Sequence, residues 1–491
     1  MISSEVRNKY KVTVGIECHV QLKTKTKLFA AVGNDAREAP PNTLTSHICF
    51  GLPGALPVLN KEAIYLASKA AFSLNSRPQK FSKFDRKHYF YPDLPMGYQI
   101  TQYDEPIVLG GNVKIEVDGQ EKTIGITRAH LEADAGKSTH SAGKDYSLVD
   151  LNRAGTPLLE IVSEPDMSSS SEAKAFAREL YLRMRYADVS DANLFYGNMR
   201  FDVNVSVSTN DDLGTRTETK NLNSFRSVEK AVDYEVNRQI ELLEKGEKII
   251  QQTRGWDDAK QKTFLQRSKE NADDYRYMPD PDLPPVILED SYINTIESEM
   301  PLMPEDWREK LQSLGMDNSQ TETLLEAEVE TDEIEYLALI EMHLEDPDLA
   351  KFIANWIVNL EIPLRRDETI TATLTTNNRA KIYAALYDLY KSDKLSSTNL
   401  KSLFSDIFNA PVSVSEIESY AEQKGYIQLS NENELNEIVK KVIEDNSKAA
   451  SDVANGENKA IGFLVGQVMK NSKGKANPSL AQDLIKKQLG V

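Results

Sequence analysis

Residues 15–22 constrain the fold of this chain more than any other stretch, because polar and apolar side chains alternate along them. In a β-strand, successive side chains point to opposite faces of the sheet. One face would therefore carry Glu17, His19 and Gln21, and the other face only hydrophobic side chains. Two interpretations are open at this point. The stretch is either a half-buried antiparallel strand with one wet face, or one wall of a cation site, since a carboxylate and an imidazole two residues apart can converge on one ion.

The length of 491 residues exceeds what one compact core holds and predicts two to four domains. The sequence has no long apolar run of membrane-spanning length, and its N-terminus lacks a signal-peptide core. We therefore expect a cytoplasmic protein without a membrane partner. The only cysteines, Cys18 and Cys49, exclude a disulfide framework and a four-cysteine zinc site.

The net charge of −18 argues at first against a nucleic-acid partner, but the charge is unevenly distributed. Residues 1–100 carry 14 basic and 7 acidic side chains, whereas residues 301–350 carry 2 basic and 15 acidic ones. Phosphate binding depends on local charge, so a partner of the size of tRNA remains allowed.

The pattern of the chain changes near residue 300. Before it, short alternating segments with Pro and Gly punctuation predict a mixed sheet with packed helices, among them one that starts after Ser169 and one that starts near Ser224. After it, acidic and helix-periodic sequence predicts helices, including one with an apolar face from Leu435 to Ile443. A basic loop with Lys470, Lys473 and Lys475 precedes the last predicted helix. Such a loop is either simply solvated or a phosphate contact, and its position on an acidic chain favours the contact.

Two more segments resemble strands with one polar face. Residues 200–207 place Arg200, Asp202, Asn204 and Ser206 on the same side, and residues 216–220 place Arg216, Glu218 and Lys220 together. Three strands that carry mixed charge and amide groups favour a sheet whose concave face holds a charged ligand, although each strand alone would be an ordinary solvated one.

Two isolated carboxylates are candidates to complete a cation site. Glu132 lies in residues 127–138, and Glu160 interrupts an apolar run that otherwise reads as a buried strand. A buried carboxylate must be paired, protonated or bound to metal. The structural alternative for Glu160 is an ion pair with an arginine such as Arg153, whose guanidinium also suits phosphate or carboxylate.

The sequence around Gly136 imitates the end of a P-loop but fails as one, because Leu131 stands where the pattern requires glycine. If ATP binds, a sheet face with Mg²⁺ must replace the P-loop amides. Neither cysteine lies in a known catalytic signature, so both are expected to be packed.

The run of residues 84–93 combines aromatic side chains with Arg86 and Lys87. This combination suits the binding of phosphate or of a stacked base, unless the tyrosines merely pack in a core.

A series of ordered motifs resembles one family along the whole chain. They are GIECHV (15–20), LPGALPVLN (52–60), residues 84–93, DAGKSTH (134–140), residues 155–166, KNLNSF (220–225), TRGW (253–256), DYRYMP (274–279), GFLVGQ (462–467) and GKANP (474–478). The sequence is similar to the B-subunit family of the bacterial aspartyl/glutamyl-tRNA(Asn/Gln) amidotransferases.

The resemblance implies an ATP-dependent enzyme that corrects misacylated tRNA. Such a B subunit uses ATP and Mg²⁺ to phosphorylate the side-chain carboxylate of Glu on tRNA(Gln) or Asp on tRNA(Asn), and ammonia from a glutaminase A subunit then displaces the phosphate. A C subunit completes the heterotrimer. The implied fold is α+β: a cradle domain at 1–292 with a mixed, mostly antiparallel sheet similar to glutamine synthetase and guanidino kinases, a helical domain at 293–410, and a small helical, tRNA-binding tail domain at 411–491.

Carried over by motif, the resemblance implies that His19, Glu132 and Glu160 are the catalytic and Mg²⁺-binding residues, with Glu17 beside them. Residue type and strand face suggest five further ATP, phosphate or carboxylate binders: Arg86, Lys87, Arg153, Arg200 and Lys220. The tRNA binders would be Lys470, Lys473 and Lys475.

The sequence departs from the family in two places. Four positions that hold zinc-binding cysteines in many members are here Ala30, Val32, Ser46 and Cys49, so we expect no zinc. Ala133 breaks an acidic pair that usually follows Leu131, which leaves open which member of that pair is the ligand.

Two other functions fit parts of the sequence. A small-molecule amide ligase or guanidino kinase would use ATP without tRNA, and it would leave the basic tail loop unexplained. A tRNA-binding or assembly module would make the carboxylates purely structural.

Overall fold

The computed structural model describes residues 2–140, 143–268, 275–331, 333–409, 412–428, 432–454, 458–472 and 476–490. The chain forms two compact units, Met1–Pro304 and Glu305–Val491. The domain boundary predicted between residues 292 and 293 falls in a helix of the first unit, and the boundary predicted between 410 and 411 lies outside the described residues.

The strands lie in the first unit. In chain order they are β1 (Lys11–Gln21), β2 (Phe81–Ser82), β3 (Asp85–His88), β4 (Tyr98–Thr101), β5 (Val108–Leu109), β6 (Asn112–Val117), β7 (Gln120–Ala133), β8 (Lys137–His140), β9 (Ser147–Asp150), β10 (Pro157–Ser163), β11 (Met199–Ser208), β12 (Thr217–Leu222), β13 (Gln252–Asp257), β14 (Lys262–Ser268), β15 (Met278–Pro279) and β16 (Val286–Ile287).

The helices occur in both units. They are α1 (Ser4–Arg7), α2 (Lys61–Ser73), α3 (Ser170–Tyr186), α4 (Phe225–Glu244), α5 (Asp290–Ser298), α6 (Pro304–Ser313), α7 (Asn318–Glu330), α8 (Leu337–Glu341), α9 (Pro347–Trp356), α10 (Ile362–Arg366), α11 (Thr376–Lys391), α12 (Ser397–Asn409), α13 (Ile417–Gln423), α14 (Glu432–Asp445), α15 (Ser447–Ala454), α16 (Asn458–Asn471) and α17 (Pro478–Leu489). A π-helical turn, Ile357–Glu361, joins α9 to α10, and a short 3₁₀ helix, Val414–Glu416, precedes α13.

A nine-stranded sheet dominates the first unit, in the order β14-β13-β12-β11-β1-β10-β7-β5, with β6 also paired to β7. Only the β12–β13 pair among these described strands is parallel. The predicted α+β class with a mixed, mostly antiparallel sheet is therefore confirmed. Strand β1 lies at the centre, between β10 and β11.

The apolar face of β1 forms part of the core, because Ile16, Cys18 and Val20 are almost completely buried. Helices α2, α3 and α4 contribute side chains to the same hydrophobic cluster. The predicted cap of α3 is present: the Ser169 hydroxyl accepts a hydrogen bond from the backbone N–H of Glu172. Ser224 caps α4 in the same way through Ser227. One covered face leaves the opposite face of the sheet for polar side chains.

The second unit is helical in its described residues, as the sequence predicts. In its first half, the carboxylate of Glu361 is fully buried and contacts Arg365, Arg379 and Tyr383. Toward the C-terminus, α14 to α17 surround a separate apolar cluster that includes Leu435, Val439 and Val442. No helix in the described parts of the chain is long and apolar enough to span a membrane.

Candidate cation and phosphate site

His19, Glu132 and Glu160 meet on the polar face of the central sheet, although 113 and 141 positions of sequence separate the two glutamates from the histidine. Strand pairing places His19 directly opposite Glu160, and it places Leu158 of the same strand opposite Glu132. His19 Nε2 lies 3.4 Å from Glu160 Oε2 and 3.8 Å from Glu132 Oε1. One ligand atom of each residue lies within 4.8 Å of the other two. The three side chains form a compact group that we call the His19 cluster.

Charge in the His19 cluster is distributed unequally between its members. Burial lowers the pKa of His19, but the hydrogen bond and charge of Glu160, with the charges of Asp202 and Glu132, outweigh burial and raise that pKa to about 9. Burial, followed by the charge of Glu160, raises the pKa of Glu132 to about 7. Burial opposes ionisation of Glu160 as well, but the neighbouring His130 and His19 imidazoles hold its pKa well below the usual value. Near neutral pH, therefore, Glu160 is ionised, His19 holds a proton, and Glu132 is close to its midpoint.

His130 lies beside the cluster and was not among the predicted site residues. It stands opposite Glu160 in the β10–β7 pairing, and its Nε2 atom lies 3.6 Å from Glu160 Oε2. Burial lowers the pKa of His130 to about 4, which keeps the ring neutral. Its buried Nδ1 atom has no hydrogen-bond partner among the residues that the structure describes. The sequence signal for His130 was available, since it shares a strand face with Glu132 two positions later.

A second acidic group lies along the same sheet face. The carboxylates of Glu17, Asp202 and Glu218 come within 4.8 Å of one another. Lys220 Nζ lies 2.8 Å from both Asp202 Oδ2 and Glu218 Oε1. Burial and then the charge of Glu160 raise the pKa of Glu17 to about 7. The sheet face that carries Glu17 and His19 of β1 thus holds two acidic groups. The Lys220 ammonium partly neutralises the group of Glu17, Asp202 and Glu218.

The His19 cluster is the group whose donor atoms suit a divalent cation. Carboxylate oxygens are the ligands that Mg²⁺ prefers, whereas an imidazole nitrogen is more common with Mn²⁺ or Zn²⁺. The His19 cluster offers two carboxylates and one imidazole without an intervening lysine. Ala133 does not belong to this group, because alternation on β7 turns it away from the face that carries Glu132. The structure therefore selects Glu132 as the carboxylate that reaches the cluster.

Comparison with known proteins places these residues in a family. Residues 12–294 match the family model described as GatB/GatE catalytic domain, and residues 339–489 match the model described as GatB domain. The chain is 43% identical over 484 residues to the B subunit of the aspartyl/glutamyl-tRNA(Asn/Gln) amidotransferase of Thermoanaerobacter pseudethanolicus, which covers 98% of this chain and 99% of the relative. The proteins of the same name from Caldicellulosiruptor bescii and Thermotoga sp. strain RQ2 are 41% and 42% identical, with the same coverage.

The chain belongs to the B-subunit family of aspartyl/glutamyl-tRNA(Asn/Gln) amidotransferases. The match to the catalytic-domain model includes both acidic groups, and the second match includes α14 to α17. The family resemblance predicted from the motifs is thus confirmed, and it extends over nearly the whole chain.

Among the predicted phosphate binders of this B-subunit family member, Lys87 faces the His19 cluster. It forms no ion pair with any of the described residues. Its ammonium lies over the rings of Tyr275, at 4.6 Å, and Tyr89, at 5.8 Å. Its charge lowers the pKa of both Glu132 and Glu160. Burial, followed by the charges of Glu160 and Glu132, raises the pKa of Tyr277. An ammonium group that contacts tyrosine rings can also pair with an anionic ligand.

The other predicted binders are already engaged by carboxylates. Arg86 contacts Asp280 and Asp282, each at 2.7 Å, and it covers the Tyr98 ring. Arg153 and Arg200 converge on Asp134 Oδ2, at 3.3 and 3.5 Å. Arg153 also donates to the backbone carbonyls of residues 135 and 136. The structural alternative that paired Glu160 with Arg153 is therefore wrong, because the partner of Arg153 is Asp134 and those of Glu160 are imidazoles.

Of the predicted tRNA-binding lysines in the tail, only Lys470 belongs to the described residues. It is exposed in the last turn of α16. Lys473 and Lys475 lie outside the described residues.

Proposed function

We propose that this chain is the ATP-dependent kinase subunit of a tRNA-dependent amidotransferase. It phosphorylates the side-chain carboxylate of Glu-tRNA(Gln), Asp-tRNA(Asn) or both. Ammonia from a glutaminase A subunit, assembled with a C subunit, then replaces the phosphate and gives the amide. The curated relatives support the class of reaction, because each is named as the B subunit of an aspartyl/glutamyl-tRNA(Asn/Gln) amidotransferase.

The observation that carries the proposal is the His19 cluster with Lys87 above it. Phosphoryl transfer requires little covalent chemistry from the protein, and it depends on positioning and on charge placed around the phosphates. The sheet face offers carboxylates for a cation and an ammonium for an anion at one place. Without a P-loop in the sequence, this face is the part of the described structure where such charges converge.

Each residue of the site has a distinct role in the proposal. Glu132, Glu160 and His19 would hold Mg²⁺, and the cation would supply positive charge for the ATP phosphates and for the transferred phosphoryl group. His130 stays neutral and fixes the position of Glu160. Lys87 pairs with the phosphate or with the carboxylate of the aminoacyl group. Lys220 holds Asp202 and Glu218 in place through its two ion pairs.

The finer features of the fold and assembly belong to the same proposal. We assign the first unit to the cradle fold shared with glutamine synthetase and guanidino kinases. We assign tRNA binding to the tail, through Lys470, Lys473 and Lys475. We expect no zinc, since three of the four family cysteine positions hold Ala30, Val32 and Ser46. The chain alone would not consume glutamine.

Substitution of the two cluster carboxylates in the reconstituted A, B and C complex tests the proposal. Glu132→Gln and Glu160→Gln should each reduce amidation of Glu-tRNA(Gln) or Asp-tRNA(Asn) on the order of 10²-fold or more, as loss of transition-state charge stabilisation does. Glu164→Gln is the matched control, because Glu164 is exposed and bonds Thr127 outside the cluster. Full amidation by both cluster variants would contradict the proposal. ATP turnover with free glutamate and no tRNA requirement would indicate a small-molecule kinase instead.

A triple substitution of the tail lysines tests the tRNA assignment. Replacement of Lys470, Lys473 and Lys475 by Ala should weaken tRNA binding, and it should reduce the dependence of binding on salt, while ATP binding stays unchanged. Unchanged tRNA affinity at moderate salt would remove the tail loop from the tRNA interface.

A further inference from the structure

Lys27 and Cys49 form a buried pair apart from the candidate site. Lys27 is 1% exposed and Cys49 is 8% exposed. The amine nitrogen of Lys27 lies 3.4 Å from the Cys49 sulfur and 3.2 Å from the backbone oxygen of Leu151. No carboxylate forms an ion pair with Lys27 in the described parts of the chain. Lysine is almost never fully buried without a charged partner, so a cysteine as its main side-chain contact is unusual.

The chemistry of this pair is that of two nucleophiles held face to face. Burial lowers the pKa of Lys27, and the Cys49 side chain partly offsets this effect. A thiolate is the reactive form of cysteine, and a neutral amine has a free lone pair. Loss of a proton from either group therefore places a nucleophilic atom against its partner at contact distance.

A small oxidant has room to reach the sulfur. Cys49 borders a cavity of about 50 Å³, together with Ile48, Phe29 and Met96. This volume exceeds what a single water molecule needs. The Ser46 hydroxyl lies 3.6 Å from the same sulfur on another side. Hydrogen peroxide, which is slightly larger than water, is of a size that fits.

We propose that Lys27 and Cys49 are a site of oxidative cross-linking, at which hydrogen peroxide converts the pair to a covalent sulfur–nitrogen bond. In the first step the Cys49 thiolate attacks peroxide, an S–O bond forms, the O–O bond breaks, and hydroxide leaves. The product is a sulfenic acid. In the second step the Lys27 amine attacks the sulfur, an S–N bond forms, the S–O bond breaks, and the hydroxyl group leaves with an amine proton as water. Thiol, amine and one peroxide thus give a sulfenamide and two waters.

The cross-link would join two parts of the connection between β1 and α2. Lys27 lies in the first half of this connection and Cys49 in its second half. The linked nitrogen keeps one hydrogen and can still donate to the Leu151 carbonyl, two residues before Arg153. Oxidation would therefore close a covalent loop over residues 27–49 without removing that hydrogen bond.

Mass spectrometry of the full chain after peroxide treatment tests the proposal. Glu38 lies between the two residues, so a glutamate-specific protease separates them unless they are cross-linked. The expected product is a joined pair of peptides that lacks two hydrogen atoms and separates again after reduction by dithiothreitol. Oxidation of Met342, which is 51% exposed, confirms that the dose was sufficient.

Two comparisons make the result specific. Cys18 is fully buried and serves as the internal control that should stay unlinked. Cys49→Ser and Lys27→Arg should both abolish the joined peptides. If a Lys27 variant does not fold, the measurement on the wild-type chain still decides whether the cross-link forms. Separate peptides in which Cys49 is unmodified, or carries only sulfinic or sulfonic acid, while Met342 is oxidised, would overturn the proposal.

Discussion

His19 and Glu160 stand directly opposite each other on neighbouring antiparallel strands, with 3.4 Å between His19 Nε2 and Glu160 Oε2. The pairing register alone brings these side chains together on the polar face of the sheet. The consequence is electrostatic: the carboxylate raises the pKa of the imidazole, and the imidazole keeps the carboxylate ionised. Below a pH of about 9, a proton on His19 therefore competes with any cation that binds to this pair.

Cation binding should strengthen as pH rises from about 6 to about 9, because metal ligands must lose their protons to bind. Glu132, with a pKa near 7, and His19, with a pKa near 9, both release protons over this range. Titration calorimetry with Mn²⁺ at several pH values, in buffers of different ionisation enthalpy, measures affinity and proton release together. An affinity that does not change with pH would contradict this assignment of protons.

Loss of the Lys87 ammonium should weaken ATP or aminoacyl-group binding. A hydrogen bond to a charged group contributes about 1.5–3 kcal/mol, so Lys87→Met should raise the KM for one of the substrates on the order of tenfold to a hundredfold. Lys83→Met is the matched control, since Lys83 pairs with Asp104 on the surface. Steady-state kinetics of the complete complex measure both. Equal KM values for both variants would exclude Lys87 from ligand binding.

The buried charge cluster of the helical unit should be essential for its stability. Arg379→Met leaves the Glu361 carboxylate, which is fully buried, without the Arg379 guanidinium at 2.9 Å, and breaking such a pair costs about 3–5 kcal/mol. Arg366→Met removes a pair with Glu330 that is about half exposed, which should cost about 0–1 kcal/mol. Urea unfolding of the two variants provides the comparison. Similar losses of stability in both would show that the Glu361 cluster contributes little.

The alternation of side chains predicted the polar face correctly, since a strand has only two sides. The pattern on β1, β11 and β12 placed Glu17, His19, Asp202, Glu218 and Lys220 on it before any partner strand was known. Capping residues also predicted the starts of α3 and α4, because a cap is a local interaction.

The sequence could not predict which charged groups pair with each other. The salt bridges of Arg86 with Asp280 and of Arg153 with Asp134 depend on how distant strands and loops meet. From residue type and strand face alone, both arginines were predicted to bind phosphate. The role of His130 depends on the same long-range register, since only the β10–β7 pairing brings it to Glu160.

Transfer of oxygen from substrate to phosphate tests the central claim most directly. Glu-tRNA(Gln) or Asp-tRNA(Asn), labelled with ¹⁸O in the side-chain carboxylate, is converted by the complete A, B and C complex with ATP and glutamine. If the carboxylate attacks the γ-phosphate, the phosphate released on amidation carries one labelled oxygen, and Glu160→Gln abolishes its formation. Unlabelled phosphate from a complex that still makes the amide would contradict carboxylate phosphorylation on this sheet face.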